Sequence, residues 1–468
     1  MATLGILRAM PLVRPFRGLA YALDRYSSAA IPARVRMPDD AETHPGRLAD
    51  VTDLVSPPYD VIDEAQRAAL AAHDPHNAVH LELAGGADPH SAAADALAAW
   101  QTDGTVAREP EPRFYYYGHA RTETPDEPTV HGVLARVLLE PWGSGMRPHE
   151  HTMPGPKADR LALLHATRTQ LSPILVTYLD RSERYRHVMS RAWSDEWRAR
   201  DGDGLLHSVA AVEPDARMAN FLSRQTLYVA DGHHRYETAL AYQAAVRSDP
   251  RWTDAPAAAL EADWIMAVLV NAELEDLEIR PTHRLLLRAD TDALRALVRD
   301  PGPGFTAEPV PTDELAAALD ARRDGEAAAF GLVLGGDDGW LLVAEPDAAA
   351  DRMRRERTST AVRRLDLSLL HAALLDDRLG IGPAEVAAGE HLAYTRSETD
   401  ALARVRSGEV SAAILVRPTR LDQLADVANA GDVMPQKSTY FYPKLLTGMA
   451  FHPLGGVEQH PPDFQEDV

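Results

Sequence analysis

Short apolar runs and longer stretches with apolar residues every third or fourth position alternate along this chain. The runs at 114–117, 131–139, 174–178, 205–212, 226–230 and 264–270 read as strands, as do 13–21, 328–334, 340–343 and 412–417. Helical spacing covers 64–72, 91–100, 157–168, 215–223, 235–246, 313–323, 361–379 and 421–430. In the third of these, Leu161, Leu164, His165 and Arg168 fall at i, i+3, i+4 and i+7. Asp63 with Gln66 three residues on forms a capping box for the first helix. Between elements lie polar, Pro-bearing loops at 27–48, 121–128 and 148–156. Two prolines stiffen Val55-Ser56-Pro57-Pro58-Tyr59-Asp60 into an extended turn. The mixture predicts an α/β protein with mixed sheets.

A chain of 468 residues is too long for one ordinary core. The pattern divides into an N-terminal α/β unit over 13–110, a core over 111–290 and a C-terminal α/β unit over 291–468. Asp300-Pro301-Gly302-Pro303-Gly304 is the most linker-like composition, and no fixed-period repeat is present.

Cysteine is absent, which excludes disulfides, zinc–thiolate sites and cysteine nucleophiles. The formal charge of −22 argues against non-specific nucleic-acid binding. The first eleven residues lack the apolar block of a secretory signal, and the longest apolar run, 264–270, is far short of a membrane span. The expected compartment is the cytoplasm.

Chemistry concentrates where the strand 226–230 runs into Asp231-Gly232-His233-His234-Arg235 and a helix begins. The first turn of a helix presents unused N–H groups and the positive end of its dipole, a site for an anion. Gly232 permits close backbone approach or a left-handed conformation. Arg235 offers a planar fork for phosphate. His233 and His234 can donate hydrogen bonds or move protons near neutral pH. Asp231 can hold Mg²⁺ or accept a proton from a hydroxyl. The competing structural reading makes Asp231 an N-cap and the histidines a solvated face.

Three further clusters stand out. Pro148-His149-Glu150-His151-Thr152 could supply a base or metal ligands, or be a surface turn before a helix. Lys157 and Arg160 sit badly with that helix's dipole, which favours a role in holding an anion. Met434 to Lys444 interleaves aromatics with two lysines, suiting a base stacked on Tyr440 or Tyr442 with Lys437 near phosphates, or an aromatic loop packing the C-terminal domain onto the core. Arg280-Pro281-Thr282-His283-Arg284 is a polar cluster after a strand.

These motifs, taken with Pro15-Phe16-Arg17-Gly18 and Ser172-Pro173-Ile174, are similar in content and order to the prokaryotic domain of unknown function 1015 family, often labelled ParB-like. The Asp-Gly-His-His-Arg turn also resembles that of the ParB/sulfiredoxin-like fold, most closely the free-serine kinases. The resemblance implies a ParB/sulfiredoxin-like core and a turn that cradles nucleotide phosphates. It implies ATP or ADP with Mg²⁺ as cofactors. Gly232, His234 and Arg235, with Lys157, Arg160 and Lys437, would hold phosphates. Asp231, His233 and Glu150 would be catalytic, Asp231 also holding the metal and Glu150 acting as base.

The function this implies is a kinase that transfers a phosphoryl group to a small hydroxyl metabolite, free L-serine first. Its partners would be a nucleotide and a small substrate, with neither membrane nor nucleic acid. Two rivals are a CTP-binding ParB-like regulator and a metal-dependent phosphatase or hydrolase using His149, His151, His233 and His234. The regulator lacks a visible helix-turn-helix with a basic second helix. The kinase reading expects Glu150, Arg160, Asp231, His233 and Arg235 to converge on one cleft.

Overall fold

A computed structural model describes residues 10–27, 47–120, 128–150, 152, 154–182, 184–189, 193–322, 327–335, 338–345 and 358–455. His151 and most of the loops expected at 27–48 and 121–128 lie outside the described residues. The chain forms two compact units, each assembled from distant segments. The first takes residues 1–148, 152–277 and 443–468, and the second takes 149–151 and 278–442.

The first unit is built on a large mixed sheet. Its strands run in the order Leu48–Asp50, Trp193–Arg200, Leu206–Val212, Phe114–Ala120, Pro128–Leu138, Trp264–Asn271, Ile174–Tyr178, Leu227–Asp231 and Met146–Arg147. Trp264–Asn271 is buried along its whole length, antiparallel to one neighbour and parallel to the other. A central strand covered on both faces needs an unbroken apolar run, which is what 264–270 supplies. Val133, Ile265 and Leu269 share one core with Met218 and Leu222 of helix Ala216–Ser223 and with Tyr236 and Ala239 of helix His233–Arg247. Each fully buried large apolar side chain there contributes about 1.5–3 kcal/mol.

The chain returns to this unit after residue 442. Phe451 pairs by backbone with Leu19, and Thr447 with Ser56. The expected capping box closes in full: Asp63 accepts from Gln66 N, and Gln66 accepts from Asp63 N.

The second unit holds an antiparallel sheet in the order Phe305–Pro309, Gly339–Ala344, Ala328–Val333, Ala412–Val416, His283–Leu286 and Leu392–Thr395. The long helix expected over 361–379 is broken instead. Thr360–Arg363 and Asp366–Leu369 are separate turns, and a π-helical stretch, Leu370–Asp376, follows. Both units are mixed α/β. Among the described residues, no helix is long and apolar enough to cross a membrane.

Candidate functional site

Strand Leu227–Asp231 ends at Gly232, and helix His233–Arg247 starts directly after it. Gly232 has φ +97°, in the left-handed region that glycine tolerates best. A Cβ on Gly232 would also lie 2.6 Å from Cγ2 of Ile174. Both the conformation and the space therefore require glycine. Having no side chain, Gly232 cannot cap the helix with one. In such an arrangement the backbone N–H groups of the first turn serve an anion.

Asp231 is gripped from two sides. Arg235 NH2 donates to its Oδ2 at 2.7 Å, and the Lys444 ammonium donates to its Oδ1. Burial works against ionisation of Asp231, but the charges of Lys444 and Arg235 outweigh it and hold the carboxyl well below the usual range. Arg235 NH1 donates to Ser172 Oγ and to the Pro173 carbonyl. Arg235 thus pins the turn to the segment before strand Ile174–Tyr178. With one cation on each oxygen, Asp231 does not fit a metal-ligand role. The charge of Asp231 itself is balanced by Lys444 and Arg235.

His233 is buried, its ring 6.2 Å from that of Trp142. Trp142 stacks on Tyr236 at 4.0 Å and donates to Glu237 at 3.2 Å. Lys157 Nζ and Thr152 Oγ1 each donate to Glu237 Oε2 at 2.7 Å. Burial opposes ionisation of Glu237, yet the hydrogen bonds from Lys157, Thr152 and Trp142 hold its carboxyl below the ordinary value. Arg160 donates to Asp159 Oδ2 through Nε at 2.9 Å and to the Glu82 carbonyl through NH1 at 2.9 Å, and it stacks over Tyr59 at 4.5 Å. Protein carboxylates, Glu237 and Asp159, thus face the two cations that sit badly with the helix dipole.

His234 stays with the turn in the first unit, whereas His149, Glu150, Arg284 and Lys437 belong to the second. Glu150 Oε1 accepts from Lys437 N at 3.1 Å, and Glu150 bridges to Met434. Lys437 has φ +58°, which is strained for a residue with a side chain. His149 shares a 2.8 Å hydrogen bond with Thr439 Oγ1. Arg284 is fully buried and donates to the carbonyls of Gln436 and Lys437 at 3.3 Å, so it ties down the 436–437 loop. Among the described residues, no group of three acidic or histidine side chains is placed to hold a metal ion.

Comparison with known families decides the chain's affiliation. A family model described as protein of unknown function, DUF1015, matches residues 37–368. The chain belongs to DUF1015. No curated protein matches it. Among solved structures, a free serine kinase in complex with AMP is 13% identical, with 66% of this chain and 86% of that one covered and a TM-score of 0.34. A conserved hypothetical protein from Pyrococcus furiosus is 14% identical over 67% and 92% of the two chains, at a TM-score of 0.33. SbnI with a C-terminal truncation, from Staphylococcus aureus, is 11% identical over 67% and 85%, at 0.35.

In this DUF1015 chain, Arg160 and Arg235 line one cavity and Asp231 pairs with Arg235, while Glu150 belongs to the other unit. Lys444 is the residue at the turn to which the motifs assign no role. Its one signal in the sequence is its place in the Met434–Lys444 cluster.

Proposed function

We propose that this protein is a nucleotide-dependent phosphotransferase acting on a small hydroxyl-bearing metabolite, with free L-serine the first candidate. The observation that carries the reading is the left-handed Gly232 turn at a helix N-terminus, with the Lys444 ammonium and the Arg235 guanidinium on its Asp231. The similarity of Asp-Gly-His-His-Arg to the free-serine kinase turn points the same way.

In this reading the nucleotide's phosphates lie over the start of helix His233–Arg247. Backbone N–H groups and the histidines His233 and His234 hold them. Lys444 supplies the neutralising charge that phosphoryl transfer requires, and Arg235 fixes the turn from behind. Asp231 keeps Lys444 in place, so its own role is orientation.

The test is transfer itself. Purified full-length protein is incubated with labelled ATP or ADP and a panel of amino acids and small alcohols, and phosphorylated acceptor is measured. Saturable transfer to one acceptor supports the reading. Nucleotide binding without transfer to any acceptor would leave a binding protein, and absence of both would end the proposal.

A further inference from the structure

Behind the turn, the first unit contains a cavity of about 60 Å³. Leu163, Leu164, Ile174 and Ile265 give it aliphatic walls. Ile174 is also the residue that crowds Gly232, and Arg235 lines the cavity too, so it adjoins the turn directly.

Two buried polar side chains reach this cavity without a good partner. Glu82 and Thr238 are each 4% exposed. Among the described residues, the Thr238 hydroxyl has no hydrogen-bond partner. The Glu82 carboxylate has one polar contact there, Arg160 NH1 at 3.5 Å from Oε1, which is at the limit of a hydrogen bond. Nearby cations are already committed: Arg160 to Asp159 and to the Glu82 carbonyl, Arg235 to Asp231. Burial pushes the Glu82 carboxyl up, Arg160 and Arg235 pull it back, and Asp60 and Asp159 push it up again. Glu82 is a buried carboxylate whose ion pair with Arg160 is long, and it lines the same apolar cavity as the unpartnered Thr238 hydroxyl. A buried hydroxyl without a partner is rare, and here it faces the same space as a weakly paired carboxylate.

We propose that this cavity binds the non-reacting end of the acceptor, a short aliphatic chain ending in a protonated amine. The ammonium lies between Glu82 and the Thr238 hydroxyl, and its methylenes lie against the leucines and isoleucines. At roughly 10–15 Å³ per water-sized occupant, the cavity takes about four to six non-hydrogen atoms. The word acceptor rests on the phosphotransfer reading; the binding of the amine does not.

Calorimetric titration of the full chain with ethanolamine, with its neutral analogue ethylene glycol and, separately, with ATP tests this. Ethanolamine is expected to bind saturably and ethylene glycol at least tenfold more weakly. Glu82→Gln is expected to lower ethanolamine affinity at least tenfold. Should that variant fail to fold, Thr238→Val keeps the shape, removes only the orphan hydroxyl, and is expected to lower affinity several-fold with an unchanged or higher melting temperature. Absent ethanolamine binding, equal binding of the glycol, or full affinity in Thr238→Val would overturn the subsite. ATP binding without amine binding removes the subsite and leaves the phosphotransfer reading standing. Amine binding without nucleotide binding does the reverse.

Discussion

The Lys444 ammonium lies against Oδ1 of Asp231 although 213 positions separate the two residues. Lys444→Met keeps most of the side chain's bulk and removes the charge. Nucleotide affinity should then fall about tenfold, equivalent to about 1.4 kcal/mol, and Lys444→Arg should recover part of it. The same change has a pH signature. The folded-state pKa of Asp231 is depressed, so its stabilisation is present above the unfolded value of about 3.9 and is lost as pH falls below it. Urea melts between pH 3 and pH 7 should show a shallower acid loss in Lys444→Met than in the parent.

Gly232→Ala places a Cβ 2.6 Å from Ile174 at φ +97°. The strained backbone alone costs about 1–3 kcal/mol. Chemical denaturation should show at least that loss, and nucleotide titration should show weakened binding in whatever remains folded. Unchanged stability would mean that the turn adopts another conformation.

Away from the turn, Glu261 accepts from the buried Arg136 at 2.7 Å and is bonded to the buried His452 at 3.1 Å. Burial opposes its ionisation, but His452, Arg136 and Arg108 together bring its pKa down to about 2. Its contribution is therefore fully present above about pH 4.3, the unfolded value, and lost as pH falls toward 2. The His452 ring, held below its ordinary value by burial, adds a loss that begins near its unfolded pKa of about 6.5. Glu261→Gln removes the carboxylate charge facing buried Arg136 and should cost about 3–5 kcal/mol in a melt at pH 7.

Glu150→Gln separates binding from transfer. If Glu150 is the acceptor's base, the variant should bind nucleotide with the parent's affinity and lose at least about a hundredfold in transfer rate. Equal turnover by the variant would remove Glu150 from the mechanism and leave the turn unaffected.

Much of the first unit is legible in the sequence because its signals are local. Strand 174–178, the Asp63 capping box and the passage from strand through Gly232 into a helix all follow from neighbouring residues. What escapes is what depends on distant partners. Strand Trp193–Arg200 hides because two of its buried positions are charged: Arg198 Nε donates to Glu196 at 2.5 Å, and Ser208 donates to Glu196 at 2.7 Å. An ion pair inside a strand erases the alternation that identifies one. The π-helical stretch at Leu370–Asp376 escapes for another reason, since its side chains carry the helical spacing and only the hydrogen-bond pattern changes. Lys444 is invisible for a third: nothing in Tyr442-Pro443-Lys444 tells that the chain has just re-entered the first unit.

That re-entry imposes an order on synthesis. A ribosome delivers Asp231, Gly232 and the helix after them well before it reaches Lys444, and the whole of 278–442 emerges in between. Throughout that interval the Asp231 carboxylate has Arg235 but lacks its second cation. The nascent chain thus makes the strand and helix of its turn early and completes the turn's charge only after all of 278–442 has emerged.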